Sequence, residues 1–164
     1  MKYFYSLLLI CTLQLFSCKK EKQPEQPYKP VERSPDLTRN MDTISKYIRG
    51  NWVWLEEKRW DQINGGYQYL TPKTEGYTLK LKLVGDTARF YINDLPDSVY
   101  TFKIARENEV TIWYPEDTLP VIAYFRLGTG LLQSYVPIKI CKDQFLWQNQ
   151  FVSSIVGENL WKKE

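Results

Sequence analysis

Tyr77-Thr78-Leu79-Lys80-Leu81-Lys82-Leu83 places an apolar side chain at every second position with a polar one between. Tyr77, Leu79, Leu81 and Leu83 share one face, and Thr78, Lys80 and Lys82 share the other, which is the pattern of a strand with one dry and one wet side. Gly85-Asp86 predicts a turn, and Ala88-Arg89-Phe90-Tyr91-Ile92 takes the alternation up again. A turn over residues 93–97, containing Pro96, leads to Tyr100, Phe102 and Ile104 opposite Thr101 and Lys103. Val110, Ile112 and Tyr114 predict a further strand, and residues 121–127 (Val-Ile-Ala-Tyr-Phe-Arg-Leu) a more buried one, ended by Gly128-Thr129-Gly130. Val136, Ile138 and Ile140, then Phe145 and Trp147, then residues 155–161 complete the series. With residues 52–55 there are eight or nine short strands separated by turns. The predicted fold is all-β, an antiparallel up-and-down β-barrel of about eight strands rather than a sandwich.

The chain ahead of these strands reads differently. Lys2 precedes an apolar run over residues 3–16 (Leu7, Leu8, Leu9, Ile10, Leu13, Leu15). At roughly 14 residues the run is short for a ~30 Å hydrocarbon core and matches the apolar part of a secretory signal. Leu15-Phe16-Ser17-Cys18 resembles a bacterial lipobox. The resemblance implies cleavage after Ser17, diacylation of the Cys18 thiol and acylation of the new amino group with palmitate-type chains. Membrane attachment through that lipid would be essentially permanent, since each buried CH₂ contributes ~0.8 kcal/mol. Lys19-Lys20-Glu21-Lys22 follows, without the aspartate that retains many lipoproteins at the inner membrane, so the expected site is the outer membrane, with its periplasmic and surface faces both open. The expected organisation is a signal peptide over residues 1–17, a lipidated cysteine and tether over 18–36 (Pro24, Pro27, Pro30, Pro35) and a barrel domain over 37–164. Leu37, Met41, Ile44, Tyr47 and Ile48 fall at helical offsets and predict a short N-terminal helix ending at Gly50.

Composition narrows the functional classes. The chain of 164 residues is 43% hydrophobic and 25% charged, the balance of one globular domain. Lys and Arg number 22 against 19 Asp and Glu, a formal charge of +3, which argues against binding nucleic acid by phosphate neutralisation. The absence of histidine excludes Ser-His-Asp and Cys-His catalysis and histidine-ligated zinc. Cys141 is the one cysteine left once Cys11 is cleaved away and Cys18 acylated, so no disulfide is expected, and Cys141 reads as a semi-buried residue at a strand end. Asp94, Asp97, Glu116 and Asp117 sit in turn sequences beside Pro96 and Pro115, where Asp is favoured by local hydrogen bonding, rather than in a two-carboxylate cleft. No cofactor, metal site or enzymatic activity is expected.

Gly50-Asn51-Trp52 matches the Gly-x-Trp at the entry to the first lipocalin strand. The longer pattern Gly-x-Trp-x-Trp, then Gly65-Gly66, Thr71-Pro72 and Gly76-Tyr77 before an alternating strand, resembles small lipocalin-like lipoproteins of gram-negative bacteria over about residues 48–164. The resemblance implies that Trp52 packs across the closed end of a barrel, with Gly50 letting the chain pass close beneath it. A basic residue covers this tryptophan in lipocalins, and Arg126, Lys162 and Lys163 are the candidates here. No Thr-Asp-Tyr of the second lipocalin signature is found. An eight-stranded barrel is either filled by side chains or holds one small ligand. The candidate lining is aromatic: Trp54, Phe90, Phe102, Phe125 and Trp147, with Tyr100 and Tyr114 offering hydroxyls. The expected function is binding, either of a small apolar ligand inside or of a protein partner at the loops or outer surface. The sequence leaves the oligomeric state open.

Overall fold

The computed structural model describes residues 28–61, 63–110, 119–150 and 156–164. The expected signal sequence, Cys18, the expected tether up to residue 27, and Ile112, Trp113, Tyr114, Glu116 and Asp117 lie outside the described residues. A helix, Met41–Tyr47, precedes nine strands: β1 (Gly50–Trp60), β2 (Tyr67–Leu70), β3 (Leu79–Val84), β4 (Thr87–Ile92), β5 (Leu95–Arg106), β6 (Pro120–Arg126), β7 (Leu132–Ile140), β8 (Gln144–Gln150) and β9 (Val156–Lys163). All pairings between these strands are antiparallel, and β1 pairs with both β3 and β9, so β1 and β3 to β9 close an eight-stranded barrel. β2 adds to the far end of β1 alone, through Glu57↔Leu70 to Trp60↔Tyr67.

Leu81 and Leu83 are fully buried in the barrel and Leu79 packs against the same core, while Lys82 on the opposite face is exposed. The turn at Gly85-Asp86 joins β3 to β4. The next turn is tight because Asn93 and Asp94 both adopt positive φ (51° and 63°), conformations that Asn and Asp tolerate and that match strand twist in a two-residue hairpin. β5 therefore starts at Leu95 and runs through Pro96, inside the stretch that sequence assigns to a turn. Val110 caps a short 3₁₀-helix, Glu107–Glu109, in a helical conformation, so it does not begin the predicted strand. β2 and a one-turn helix over Pro72–Glu75, capped by Thr71, occupy a stretch with no predicted element.

The closed end is built on Trp52. Its side chain is wholly buried, its Nε1 donates to the Ile48 carbonyl at 2.7 Å, and Phe145 meets it edge-on with ring centroids 4.8 Å apart. Ile44 and Ile48 of the N-terminal segment are buried against the same cluster, so this short helix is the floor of the barrel. Lys163 is the basic residue over the tryptophan: its Nζ lies 5.0 Å from the ring centroid and donates to the Tyr47 carbonyl at 2.9 Å. Gly50 has φ +137°, a backbone conformation that requires glycine, and a Cβ there would stand 2.9 Å from Lys163 Cε and displace the end of that side chain.

Residues 28–36, which composition assigns to the tether, are packed on the outside of the barrel. A bulge between Trp54 and Glu56 reverses the facing of β1, so Trp54 points in while Glu56 points out and is nevertheless fully buried. Its carboxylate accepts from Tyr28 OH at 2.7 Å and from the Val31 N–H at 2.9 Å, and faces the Arg33 guanidinium at 3.4 Å. Farther along, the Ser34 N–H donates to Gln144 Oε1, Gln144 Nε2 donates to the Glu32 carbonyl, and Thr38 and Ile140 exchange backbone hydrogen bonds. The segment is thus a strap across β1, β9 and β8, and Glu56 is the buried charge that receives it.

Two outcomes test these assignments. Trp52→Ala is expected to destabilise the fold by roughly 3–5 kcal/mol, read as a lowered melting temperature in circular dichroism; melting unchanged from wild type would remove Trp52 as the plug. Burial and then the hydrogen bond to Glu56 push the Tyr28 phenol up from its ordinary value to about 12. Because the folded form holds the proton more tightly, the strap contact is complete below about pH 10 and is lost as the pH rises through about 12. Proteolysis within residues 28–38 is therefore expected to accelerate across that interval, and Tyr28→Phe to abolish the transition.

Candidate functional site

An aromatic stack rises from the floor. Phe145 lies parallel to Trp161 at 5.7 Å, Trp161 meets Trp147 at 5.0 Å, and Trp147 leads to Phe90 at 6.4 Å. Phe90 then contacts Tyr124 at 5.6 Å and Tyr100 at 6.0 Å. The lower rings fill the core, and the upper ones part around a cavity of about 420 Å³ that opens toward the β4–β5 and β6–β7 turns. Leu79, Phe90, Tyr100, Tyr124, Val136 and Trp147 form its apolar wall, with Ser98, Ser134 and Asp97 as polar members.

The register explains how these side chains converge. Leu79 faces Ile92, Leu81 faces Phe90, and Tyr124 faces both Phe102 and Ser134, so one continuous inner face runs from β3 through β7. A bulge between Phe90 and Tyr91 keeps Ser98 opposite Phe90 and brings Asp97 to the rim, where its Oδ2 accepts from the Ser98 hydroxyl at 2.9 Å. Tyr124 is only 4% exposed, and burial pushes its phenol well above the usual tyrosine range. At working pH this buried phenol beside the cavity is therefore neutral.

Of the residues singled out from sequence, Phe90, Tyr100 and Trp147 line this cavity. Trp54 and Phe102 are buried in the core cluster and are not among its lining residues, Trp54 lying parallel to Tyr77 at 6.0 Å. Phe125 was expected inside and is on the outer face: it pairs with Thr101 and Leu132, on the side opposite Tyr124, and Lys103 Nζ stands 5.4 Å from its ring. The run over residues 121–127 misleads because Val121 and Ala123, which also point away from the central cluster, are as buried as Ile122. Among the lining residues not singled out from sequence, Tyr124 is the most buried aromatic. Its signal was present in the parity of the strand, since Ile122 and Tyr124 share a face with each other and not with Phe125. Tyr114 lies outside the described residues.

Cys141 is buried with a free thiol, immediately after the last residue of β7. Asp94 is a central turn residue that pairs with Lys80 at 2.8 Å, and no group of three or more metal-ligating side chains occurs among the described residues. Around the mouth the turns carry exposed apolar side chains: Trp60 and Ile63 between β1 and β2, Leu95 between β4 and β5, and Leu127 and Leu131 between β6 and β7. Trp60 meets Tyr67 edge-on at 5.1 Å and stands apart from the cavity wall.

Fold and site together define a class: a closed, eight-stranded antiparallel barrel with a plugged floor and an open-mouthed aromatic cavity. In comparison with known proteins, no family model, no curated protein and no solved structure matches the chain.

Proposed function

We propose that this chain is a lipid-anchored binding protein of the cell envelope, a lipocalin-like lipoprotein whose barrel holds a small apolar molecule. The observation that carries the reading is the cavity: about 420 Å³ lies within the ~300–1,000 Å³ range of ligand pockets, and its wall is mainly aliphatic and aromatic. A barrel serving only as a scaffold would be filled by side chains at this level, as it is lower down. The Gly50, Trp52 and Lys163 arrangement at the floor supports the lipocalin-like reading, and the lipobox-like residues 15–18 support anchoring through Cys18, with the outer membrane as destination. In this reading the protein binds and does not catalyse.

A second reading is favoured by one specific observation, the exposed apolar residues around the mouth. Such a patch suits contact with a protein partner at the loops. The two readings predict different companions for the purified protein.

Native mass spectrometry of the protein taken from its own envelope is expected to show one reproducible added mass below that of a protein, released on denaturation. A clean unliganded mass together with a co-purifying polypeptide would favour the partner instead. Replacing Cys18 with Ser is expected to leave an uncleaved precursor that takes up no labelled fatty acid; label persisting in Cys18→Ser would place the acyl group elsewhere.

A further inference from the structure

The exposed apolar side chains on the barrel's turns gather at one end. Ile63 (94% exposed), Leu95 (70%), Leu131 (64%) and Leu127 (58%) stand on three separate connections around the mouth, with Trp60 at the end of β1. Among the described residues of the floor-end turns, Val84 is the one comparable exposed side chain.

The strap shows toward which end the chain before residue 28 leaves the barrel. Thr38 and Ser34 are bonded near the floor ends of β7 and β8, to Ile140 and Gln144. Nearer the N-terminus, Val31 and Tyr28 reach Glu56 midway along β1, and the Tyr28 ring packs on Tyr69 at 5.6 Å. Tyr69 lies on β2, which pairs only with the mouth-side end of β1 and sets this tyrosine opposite Lys58. The strap thus climbs from floor toward mouth, and Tyr28 stands beside a level only roughly 7 Å along the strand from Trp60. Ten residue steps separate Tyr28 from Cys18, the cysteine of the lipobox-like sequence, and they span at most about 35 Å. A membrane facing the mouth lies well within that reach. A membrane under the floor would require the same chain to run back along β1 for about 20 Å and past the helix for about 10 Å, nearly its whole length.

We propose that the mouth of the barrel rests on the leaflet that holds its own lipid anchor, with the apolar turn tips in the interfacial layer and the cavity opening onto lipid. This rests on the lipid-anchored carrier reading and adds the partner surface and the orientation of the barrel. A fluid apolar layer meets tips on separate turns all at once, whereas a protein partner would need a surface shaped to each. The tips enter the interface and not the hydrocarbon core, because turn backbone carries polar groups without strand partners. Lys58, Arg59 and Arg126 stand at this end together with Asp61, Asp94 and Asp97, so apolar contact holds the mouth rather than attraction to anionic headgroups. An apolar cargo then passes between cavity and lipid without crossing water.

The test uses the lipidated protein in vesicles of phosphatidylethanolamine and phosphatidylglycerol, with a nitroxide near the headgroup end of the acyl chains. In a Cys141→Ala background, one environment-sensitive thiol label is placed at Leu131→Cys on the rim or at Val84→Cys at the floor. Flotation with the vesicles reads the anchor, and emission of the label reads the contact. The Leu131→Cys label is expected to shift to the blue and to be quenched severalfold more strongly than the Val84→Cys label. Adding Leu95→Glu and Leu127→Glu is expected to remove that quenching and to leave flotation and melting unchanged, since both side chains are exposed and outside the core.

A floor label quenched as strongly as the rim label would overturn the orientation. Flotation with neither label quenched would overturn the docking and leave the anchored carrier standing. Quenching that survives Leu95→Glu with Leu127→Glu would overturn the apolar tips as the contact. A rim label that shifts only when envelope proteins are included would transfer this surface to a protein partner. Protein that carries no acyl mass and does not float would remove the anchored reading itself, and the proposal would fall with it.

Discussion

Strand β1 pairs with β3 on one side and with β9 on the other, and this double pairing removes the free edges that an eight-stranded sheet would otherwise expose. It also creates the interior. Trp52 stands on this strand at the level where it meets both neighbours, and fills the space that closure leaves at one end. The indole bond to the Ile48 carbonyl and the Lys163 bond to the Tyr47 carbonyl then fix the N-terminal helix beneath it. Because that end is sealed by packing and by satisfied polar groups, the other end can remain open around a cavity without loss of the core.

The interior changes character with height. Near the floor, Trp52, Phe145 and Trp161 pack ring against ring. Above them the rings belong to Trp147, Phe90, Tyr100 and Tyr124, and three of these four carry a polar atom at the edge of an apolar body. An aromatic of that kind presents two surfaces, one to its neighbours and one to whatever occupies the space in front of it. The same residue types therefore serve first as filler and then as wall, and the change lies in their spacing rather than in their chemistry.

Much of the barrel was legible as alternation. Leu79, Leu81 and Leu83 point inward and Lys82 outward because a pleat has a period of two, and the Asn93-Asp94 turn bears the residues that tolerate positive φ. Gly50 and Trp52 were legible as a motif, and Phe90, Tyr100 and Trp147 as inward residues. What escaped lies where the period breaks. The bulge before Glu56 turns a glutamate outward into a buried contact, and nothing in Trp54-Leu55-Glu56 announces it. Phe125 was misplaced because β6 is buried on both faces, which erases the alternation that would have put Tyr124 inside instead. Lys163 could be chosen over Arg126 and Lys162 only once β9 was seen to pair with β1, a contact across more than a hundred residues. The strap was hidden by its own composition, since proline-rich polar chain buries little by itself and is held here by the Glu56 carboxylate, the Gln144 amide and the Ile140 backbone, all supplied from distant strands.

That strap has a mechanical consequence. A pull on the N-terminal end of the chain reaches the Tyr28 and Val31 bonds to Glu56 first, then the Ser34–Gln144 pair, then the Thr38–Ile140 bridge, and only afterwards the helix. These bonds are loaded one after another, so they peel in sequence like a row of stitches. The strap crosses β1, β9 and β8, the strands on either side of the seam where the barrel closes. Tension applied at the N-terminal end is thus taken first along the outside of the wall, at β1 and β8, before it reaches the helix that floors the barrel.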